Sequence, residues 1–519
     1  MTPSRFLTLA LVMTVAALPA AAQSGRPLTP ADLQAWKTIR ATTTTPDGKW
    51  FAYSLVPNEG EGKVILRPTG DGPERSYPLG KPPAPTPAFF FGGGGPPTLV
   101  LSGDGRWLAF LAYPTEAEQR QLRKERKPVQ SRLVLANVAT GEAKEFPKVR
   151  RFAFSGERPR AIAMHGYQPE AGPPSGPGGG PGGPPPSRTE GADLLLLDLG
   201  TSSVVNVGNV ADFAFDESGE WLALTIDARD RLGNGLHLRN MRTEVTRVLE
   251  SRDALYRRVQ WADSGLALAA LRGTIDSVRK DTSYAVIGFT GFGPNGPSNT
   301  IVPVADGDTT IRVSGNRTPT WARNHSILYF GLQTGVRRSG PRPDVKPVAG
   351  TPGAMQRPSV TGGVEEDSLP TLVIWHGRDS RLQSQQQVEE NRDKSAAWLA
   401  AYRVADRTVL QLGSDSLPDV TPAPGDRFAI GNDRRAYELQ GNLDGIPRRD
   451  VWVIDLATGK RTLAIRAQEY LATPSPDGTQ LVYWADGNYH VYEMATGARR
   501  NLTSGLPVSF VNVEDDHNR

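Results

Sequence analysis

Short runs of alternating apolar and polar residues fill most of this 519-residue chain, and that period of two is the pattern of strands with one buried face. The runs come in a fixed order after a recurring turn. Thr45-Pro-Asp-Gly-Lys-Trp-Phe-Ala-Tyr53, Ser102-Gly-Asp-Gly-Arg-Trp-Leu-Ala-Phe110, Asp216-Glu-Ser-Gly-Glu-Trp-Leu-Ala-Leu224 and Ser475-Pro-Asp-Gly-Thr-Gln-Leu-Val-Tyr483 are the clearest copies. Related runs begin at Phe154, Trp261, Trp321 and Ala423. In each, Gly (or Asn324) supplies the backbone freedom that a tight turn needs, and the apolar residues after it predict a strand. A second type of run ends in Thr-Gly, as in Leu133-Val-Leu-Ala-Asn-Val-Ala-Thr-Gly141, Val451-Trp-Val-Ile-Asp-Leu-Ala-Thr-Gly459 and Tyr489-His-Val-Tyr-Glu-Met-Ala-Thr-Gly497. A short basic strand follows it, such as Lys460-Arg-Thr-Leu-Ala-Ile465.

The eight turns stand at 48, 105, 156, 219, 265, 324, 425 and 478. A four-stranded propeller blade takes roughly 40 to 50 residues, and insertions account for the surplus. No such unit buries its sheet faces alone, so the units must stack. The predicted fold is all-β, a β-propeller of about seven or eight four-stranded blades that need not be complete within this chain, with Pro/Gly-rich loop insertions. The repeats span residues 42–503, after an N-terminal linker over 23–41. A further unit starts over 504–519 and looks truncated.

Three stretches interrupt the repeat: Lys81–Pro97, Pro169–Ser187 and Ser339–Pro370. Their composition leaves too little apolar surface to offset chain entropy, so they read as loops. The first holds Phe89-Phe-Phe91 beside Gly92-Gly-Gly-Gly95, read as aromatics folded back on a neighbouring blade. Arg381–Lys394 reads as a helix, being free of Gly and Pro. It is expected between strands at Leu372–Trp375 and Ala397–Tyr402.

Gly and Pro number 55 and 44, and 38% of residues are hydrophobic, the balance of a turn-rich β protein. Lys and Arg exceed Asp and Glu by only 59 to 55, and no basic stripe interleaved with aromatics points to nucleic acid. Residues 1–22 form a signal-peptide pattern: Arg5, an apolar run from Phe6 to Leu18, then Ala20-Ala-Ala22. The apolar run is shorter than the ~20 residues that span a bilayer. The expected address is periplasmic or secreted, with no membrane span after cleavage. The chain has no cysteine, which excludes disulfides and thiolate chemistry.

Catalytic chemistry finds little support. No Gly-x-Ser-x-Gly occurs, so the strand-to-helix elbow of an α/β-hydrolase is missing. The six histidines, at 165, 237, 325, 376, 490 and 517, never pair at His-x-x-x-His spacing. His237 and His490 read as solvent-side strand residues, and His376 as the one nearest a functional opening. Glu514-Asp-Asp-His517 reads as a solvated acidic turn, because four adjacent residues cannot converge on one ion. No catalytic residue, metal ligand or cofactor is expected.

The order of units, with Trp375-His-Gly-Arg-Asp-Ser-Arg-Leu-Gln-Ser384, Gly441-Asn-Leu-Asp444, Thr473-Pro-Ser-Pro-Asp-Gly478 and Asn501-Leu-Thr503, resembles the N-terminal propeller of exported prolyl oligopeptidase family serine peptidases. The likeness covers roughly Thr42 to Arg519. It implies a noncatalytic domain that gates or binds peptide substrates for a C-terminal α/β-hydrolase domain, absent from this chain, and so a fragment of a longer enzyme, inactive alone, is expected. It also implies that Glu389 and Glu390, adjacent on the helical insertion, hold a substrate's amino terminus through charge-assisted hydrogen bonds. The alternative is a stand-alone periplasmic propeller of TolB type that binds a protein partner.

Overall fold

The computed structural model describes residues 28–84, 96–168, 191–228, 231, 233–263, 266–276, 281–303, 311–334, 376–377 and 379–510. They fall into two compact units, one within Met1–Leu101 and Phe110–Val129, the other within Ser102–Ala109 and Gln130–Arg519. The signal-peptide pattern, Phe89–Phe91, the strand expected at Leu372–Trp375 and the acidic run Glu514–His517 lie outside the described residues.

The first unit begins with a short helix, α1 (Pro30–Ala35), capped reciprocally by Thr29 and Asp32. Four strands follow, Lys37–Thr44, Trp50–Pro57, Gly62–Pro68 and Arg75–Gly80, hydrogen-bonded in chain order. Ala52, Val56, Val64 and Leu66 of the middle strands are buried, as the alternation of the sequence requires. Helix α2 (Glu116–Lys124) is closed by the same kind of cap, between Thr115 and Glu118.

The blade pattern then repeats. Leu99–Leu101, Trp107–Ala112, Arg132–Asn137 and Ala143–Phe146 follow in chain order, the last two paired antiparallel. Seven strands from Val149–Phe154 to Thr246–Ser251 make one sheet, joined through the 12-residue strand Val204–Phe215. That strand closes one four-strand meander with its first half and opens the next with its second. Leu255–Trp261 to Thr408–Gln411 form a nine-stranded sheet in the same style. The last two sheets, starting at Asp419–Pro422 and Thr473–Pro474, have four strands each. Seven of the eight sequence turns join the first strand of a meander to its second; for the remaining one, Gly265 lies outside the described residues between Leu255–Trp261 and Leu268–Asp276.

Within the second unit the sheets pack face to face, and side-chain alternation assigns each residue to one neighbour. Leu268, Ala270, Ile287 and Phe289 pack with Trp221, Leu236 and Leu238 of the preceding meander. Their neighbours along the same strands, Ala269, Leu271 and Val286, pack with Leu328, Phe330 and Tyr402 of the following one. Ile327, Tyr329 and Ala401 continue the series toward Val420, Ala429 and Ile454, and Phe428, Ile430 and Val453 toward Leu481, Tyr483 and Tyr492. The Ala of the repeat stays small because it is fully buried at this sheet-to-sheet interface, as at Ala223 and Ala429. This is β-propeller architecture: blades with two buried faces, stacked in sequence order.

The turns stack as well. Asp477 accepts from Ser475 Oγ at 2.5 Å and Thr479 N at 3.2 Å, and Asp47 makes the equivalent bonds to Thr45 and Lys49, which lower its pKa to about 2. The glycines have a second role that the sequence pattern does not show. Gly156 has φ +69°, and a Cβ there would stand 2.8 Å from the Glu217 carbonyl oxygen in the next blade's turn. Gly425 faces the Asp477 carbonyl at 2.8 Å in the same way, and Asp426 accepts from Arg323 N at 3.0 Å and Tyr329 Oη at 2.9 Å. Backbone of one turn therefore lies directly on backbone of the next.

The helix expected over Arg381–Lys394 is α3 (Gln383–Lys394), followed by the strand Trp398–Arg403. A fourth helix, α4 (Glu438–Asp444), sits between the second and third strands of the next blade and ends on Gly445 at φ +75°. Asn442 Nδ2 donates to the Ser380 carbonyl at 2.6 Å, tying the two insertions together. Among the described residues no helix is long and apolar enough to cross a membrane.

Candidate functional site

A concentration of polar chemistry among the described residues lies in the second unit, in a cavity of about 610 Å³. Its walls come from four consecutive blades: Arg150, Arg151 and His165; Ala211, Asp212 and Asp227; Arg257 and Arg258; Gly315 and Asn316. Each of the first three blades contributes the first strand of its meander, and each of those strands is bulged at the cavity. Arg150 is the extra residue where Val149 and Arg151 pair with Gly166 and His165. Ala211 is extra where Val210 and Asp212 pair with Ile226 and Thr225. The third bulge falls between Arg257 and Gln260, and inside it Arg258 takes φ +53°. A bulge twists the strand and re-aims side chains, and a left-handed arginine costs ~1 kcal/mol that only its surroundings can offset.

Two of the arginines tie blades together. Arg151 pairs with Asp212 at 2.8 Å, donates to the Phe213 carbonyl, and lies 4.2 Å over the Phe213 ring. Asp212 in turn accepts from Val259 N at 3.3 Å. Arg258 donates to the Gly315 carbonyl at 2.5 Å and to Thr318 Oγ1 at 3.4 Å, and Trp261 Nε1 donates to the Ala214 carbonyl at 3.0 Å. The cavity wall is thus a continuous set of hydrogen bonds across four blades. Asp227 is buried and held by Asn234 Nδ2 at 3.2 Å.

His165 is only 3% exposed. Its Nε2 stands 2.8 Å from the Val210 carbonyl. A carbonyl can only accept, so Nε2 carries the proton and Nδ1 is left as a buried acceptor without a partner. Burial, aided by Arg151 and Arg150, lowers its pKa, which keeps it neutral at pH 7. With Nε2 committed to a carbonyl and Nδ1 buried, His165 presents a neutral ring to the cavity wall. Four arginines against two aspartates leave the lining with two excess positive charges.

Glu389 and Glu390 occupy different surroundings. The Glu389 side chain is 11% exposed and is held by Arg381 at 2.8 Å and Arg392 at 2.7 Å. Glu390 is 59% exposed and pairs with Lys394 at 2.6 Å. Asp393 and Glu389 together hold the Arg381 pKa above its ordinary value. His376 is exposed, with its backbone N donating to Asp379 Oδ2 at 3.0 Å; the histidine on the cavity wall is His165. His237 is half-buried and His490 stacks on Tyr483 with ring centroids 5.2 Å apart. Among the described residues no group of three or more His, Cys, Asp or Glu could hold a metal ion.

The cavity arginines do not stand out from other charged strand residues in the sequence. The available signal was a basic residue six to eight positions before a repeat turn, as at Arg40, Arg150, Arg258 and Arg317.

No known family profile matches the chain, and no curated protein matches it. Solved structures do show similarity. One is a eukaryotic initiation factor, with 13% identity and a TM-score of 0.40 over 90% of this chain and 88% of that one. Another is the β-propeller domain of the Trilobed protease from Pyrococcus furiosus, with 8% identity and a TM-score of 0.32 over 84% and 97% of the two chains. A third is a prolyl endopeptidase, with 12% identity and a TM-score of 0.34 over 89% of this chain and 55% of that one.

Proposed function

We propose that this chain is a noncatalytic peptide-binding propeller, serving as the gating or substrate-holding domain of an exported serine peptidase. The observation that carries the reading is the 610 Å³ cavity whose polar lining is assembled from four consecutive blades and braced by Arg151, Asp212 and Arg258. Peptide main chain offers donors and acceptors along its length, and a wall of Arg, Asp, Gln and Asn side chains can meet both. The motifs from Trp375 to Thr503 and the pattern of residues 1–22 support the peptidase context and the export.

A second reading, docking of a protein partner, draws support from the helical insertions. Leu382 and Val388 at α3, and Leu439, Leu443 and Ile446 at α4, are all exposed, the kind of side chain that partner contacts use.

Fluorescence anisotropy with a library of labelled short peptides, followed by mass spectrometry of the same mixtures, tests the first reading. Saturable binding with every peptide intact supports it. Absence of binding across the library, or cleavage by the 519-residue chain alone, contradicts it.

A further inference from the structure

We infer that the cavity selects peptides carrying a carboxylate, from an acidic side chain or a free C-terminus. The inference rests on the peptide-binding reading above and adds the chemical class of the ligand. Three observations carry it.

The first is charge. Arg150, Arg151, Arg257 and Arg258 outnumber Asp212 and Asp227 on the walls, and His165 contributes none at neutral pH. Arg151 is balanced directly by Asp212, whereas Arg150 is exposed at the rim. A ligand that brings negative charge removes the imbalance, and guanidinium groups match a carboxylate in planar, two-point geometry.

The second is backbone shape. Two of the three bulges at the cavity insert an arginine, Arg150 and the left-handed Arg258. Both strands depart from regular pairing at the place where a cation is supplied. Bulges re-aim side chains and recur beside functional sites, and the bonds of Arg258 to Gly315 and Thr318 fix its cation at the cavity wall.

The third is the remaining lining. Gln168, Asn316 and Gln333 add amide groups, and Tyr284 is the aromatic there. Amides satisfy peptide N–H and C=O groups, while nucleic acid would need several stacking rings along an extended basic groove. A half-open cavity with three amides and a modest positive excess fits a short acidic peptide.

The test is a titration of the purified chain with matched labelled hexapeptides that differ by one Glu-to-Gln exchange, each with a free or an amidated C-terminus. The expected result is at least about a tenfold tighter Kd for the carboxylate forms at low salt, a gap that narrows near 1 M salt, where the Debye length is ~3 Å. Arg150→Gln, at an exposed position, should erase most of that gap while leaving the melting temperature unchanged, so that a lost preference is not a lost fold. Equal affinity for acidic and neutral peptides overturns this inference and leaves the peptide-binding reading standing. No binding of either overturns both. Displacement by equimolar inorganic phosphate would mark a simple anion site and also overturn it.

Discussion

Replacing Gly156 with Ala tests how the blades are held together. Gly156 and Gly459 are both turn glycines of the repeat, with φ +69° and +74°, and both lie in the same compact unit. An alanine at either position pays the left-handed backbone cost of ~1–2 kcal/mol. Their surroundings differ. At Gly459 the nearest atom to a new Cβ is Leu410 Cδ2 at 3.5 Å, an ordinary contact on a flexible side chain. At Gly156 the new Cβ meets the Glu217 oxygen and the Ser218 carbonyl carbon, both at 2.8 Å, and Gly219 N at 2.9 Å. These are backbone atoms of the next blade's turn and cannot rotate away. Relief requires the two turns to separate by roughly half an ångström, an overpacking cost of ~1–3 kcal/mol. Gly156→Ala should therefore lose ~2–5 kcal/mol in total, against ~1–2 for Gly459→Ala. Urea unfolding followed by tryptophan fluorescence reads the difference as a shift in midpoint at constant slope. Equal losses in the two variants would refute turn stacking and leave the glycines with a purely local role.

Three further outcomes follow from the site. The folded-state pKa of His165 is below its ordinary 6.5, because burial opposes the charged form. Its contribution is intact above pH ~6.5 and falls as the pH drops below that value, since the unfolded chain then binds a proton that the folded one resists. Melting temperatures between pH 8 and pH 5 should fall less steeply in His165→Gln than in the parent; an unchanged slope would contradict the burial argument, with the half-buried His237 supplying the residue of the effect. A double-mutant cycle on Arg151→Met and Asp212→Asn should give a coupling of about 1 kcal/mol for this part-exposed pair, and a value near zero would remove it as a brace between blades. Glu389→Gln should speed amide exchange across α3, because Arg381 and Arg392 lose their shared carboxylate, and should leave peptide affinity unaltered. A large loss of affinity would instead favour an amine clamp at Glu389 and Glu390.

The architecture was legible because the repeat is local. A turn Asp that bonds its own neighbours, a Gly at positive φ and an alternating strand all act within ten residues, so Ser475–Tyr483 can be read without knowing what surrounds it. The same holds for α3. Helix α2 carried an equally local signal, Thr115 and Glu118 in capping-box spacing, but its nine residues lie between strands and passed unread. Helix α4 has no side-chain cap and includes Gly441, so propensity gave no warning of it. The cavity was illegible for a different reason. Arg150 and Arg258 are 108 positions apart, and each looks like an ordinary charged strand residue until the bulges opposite His165–Gly166 and Ala269–Leu271 are known. Register is a property of two strands, and no single run of sequence contains it. The stacking of Gly156 on the turn at Glu217 was hidden likewise, because a glycine needed for φ and a glycine needed for close approach look the same in a sequence.

Where a peptide binds is the most direct test of the cavity's role. Amide hydrogen exchange of the purified chain, with and without a saturating acidic peptide, locates that surface without any substitution. Added protection is expected in the segments 149–152, 165–168, 210–213, 257–259 and 315–317, on the walls of the cavity, with α3 and α4 unchanged. Protection confined to α3 and α4, or spread over strands remote from these segments, would contradict a peptide-binding role for the cavity.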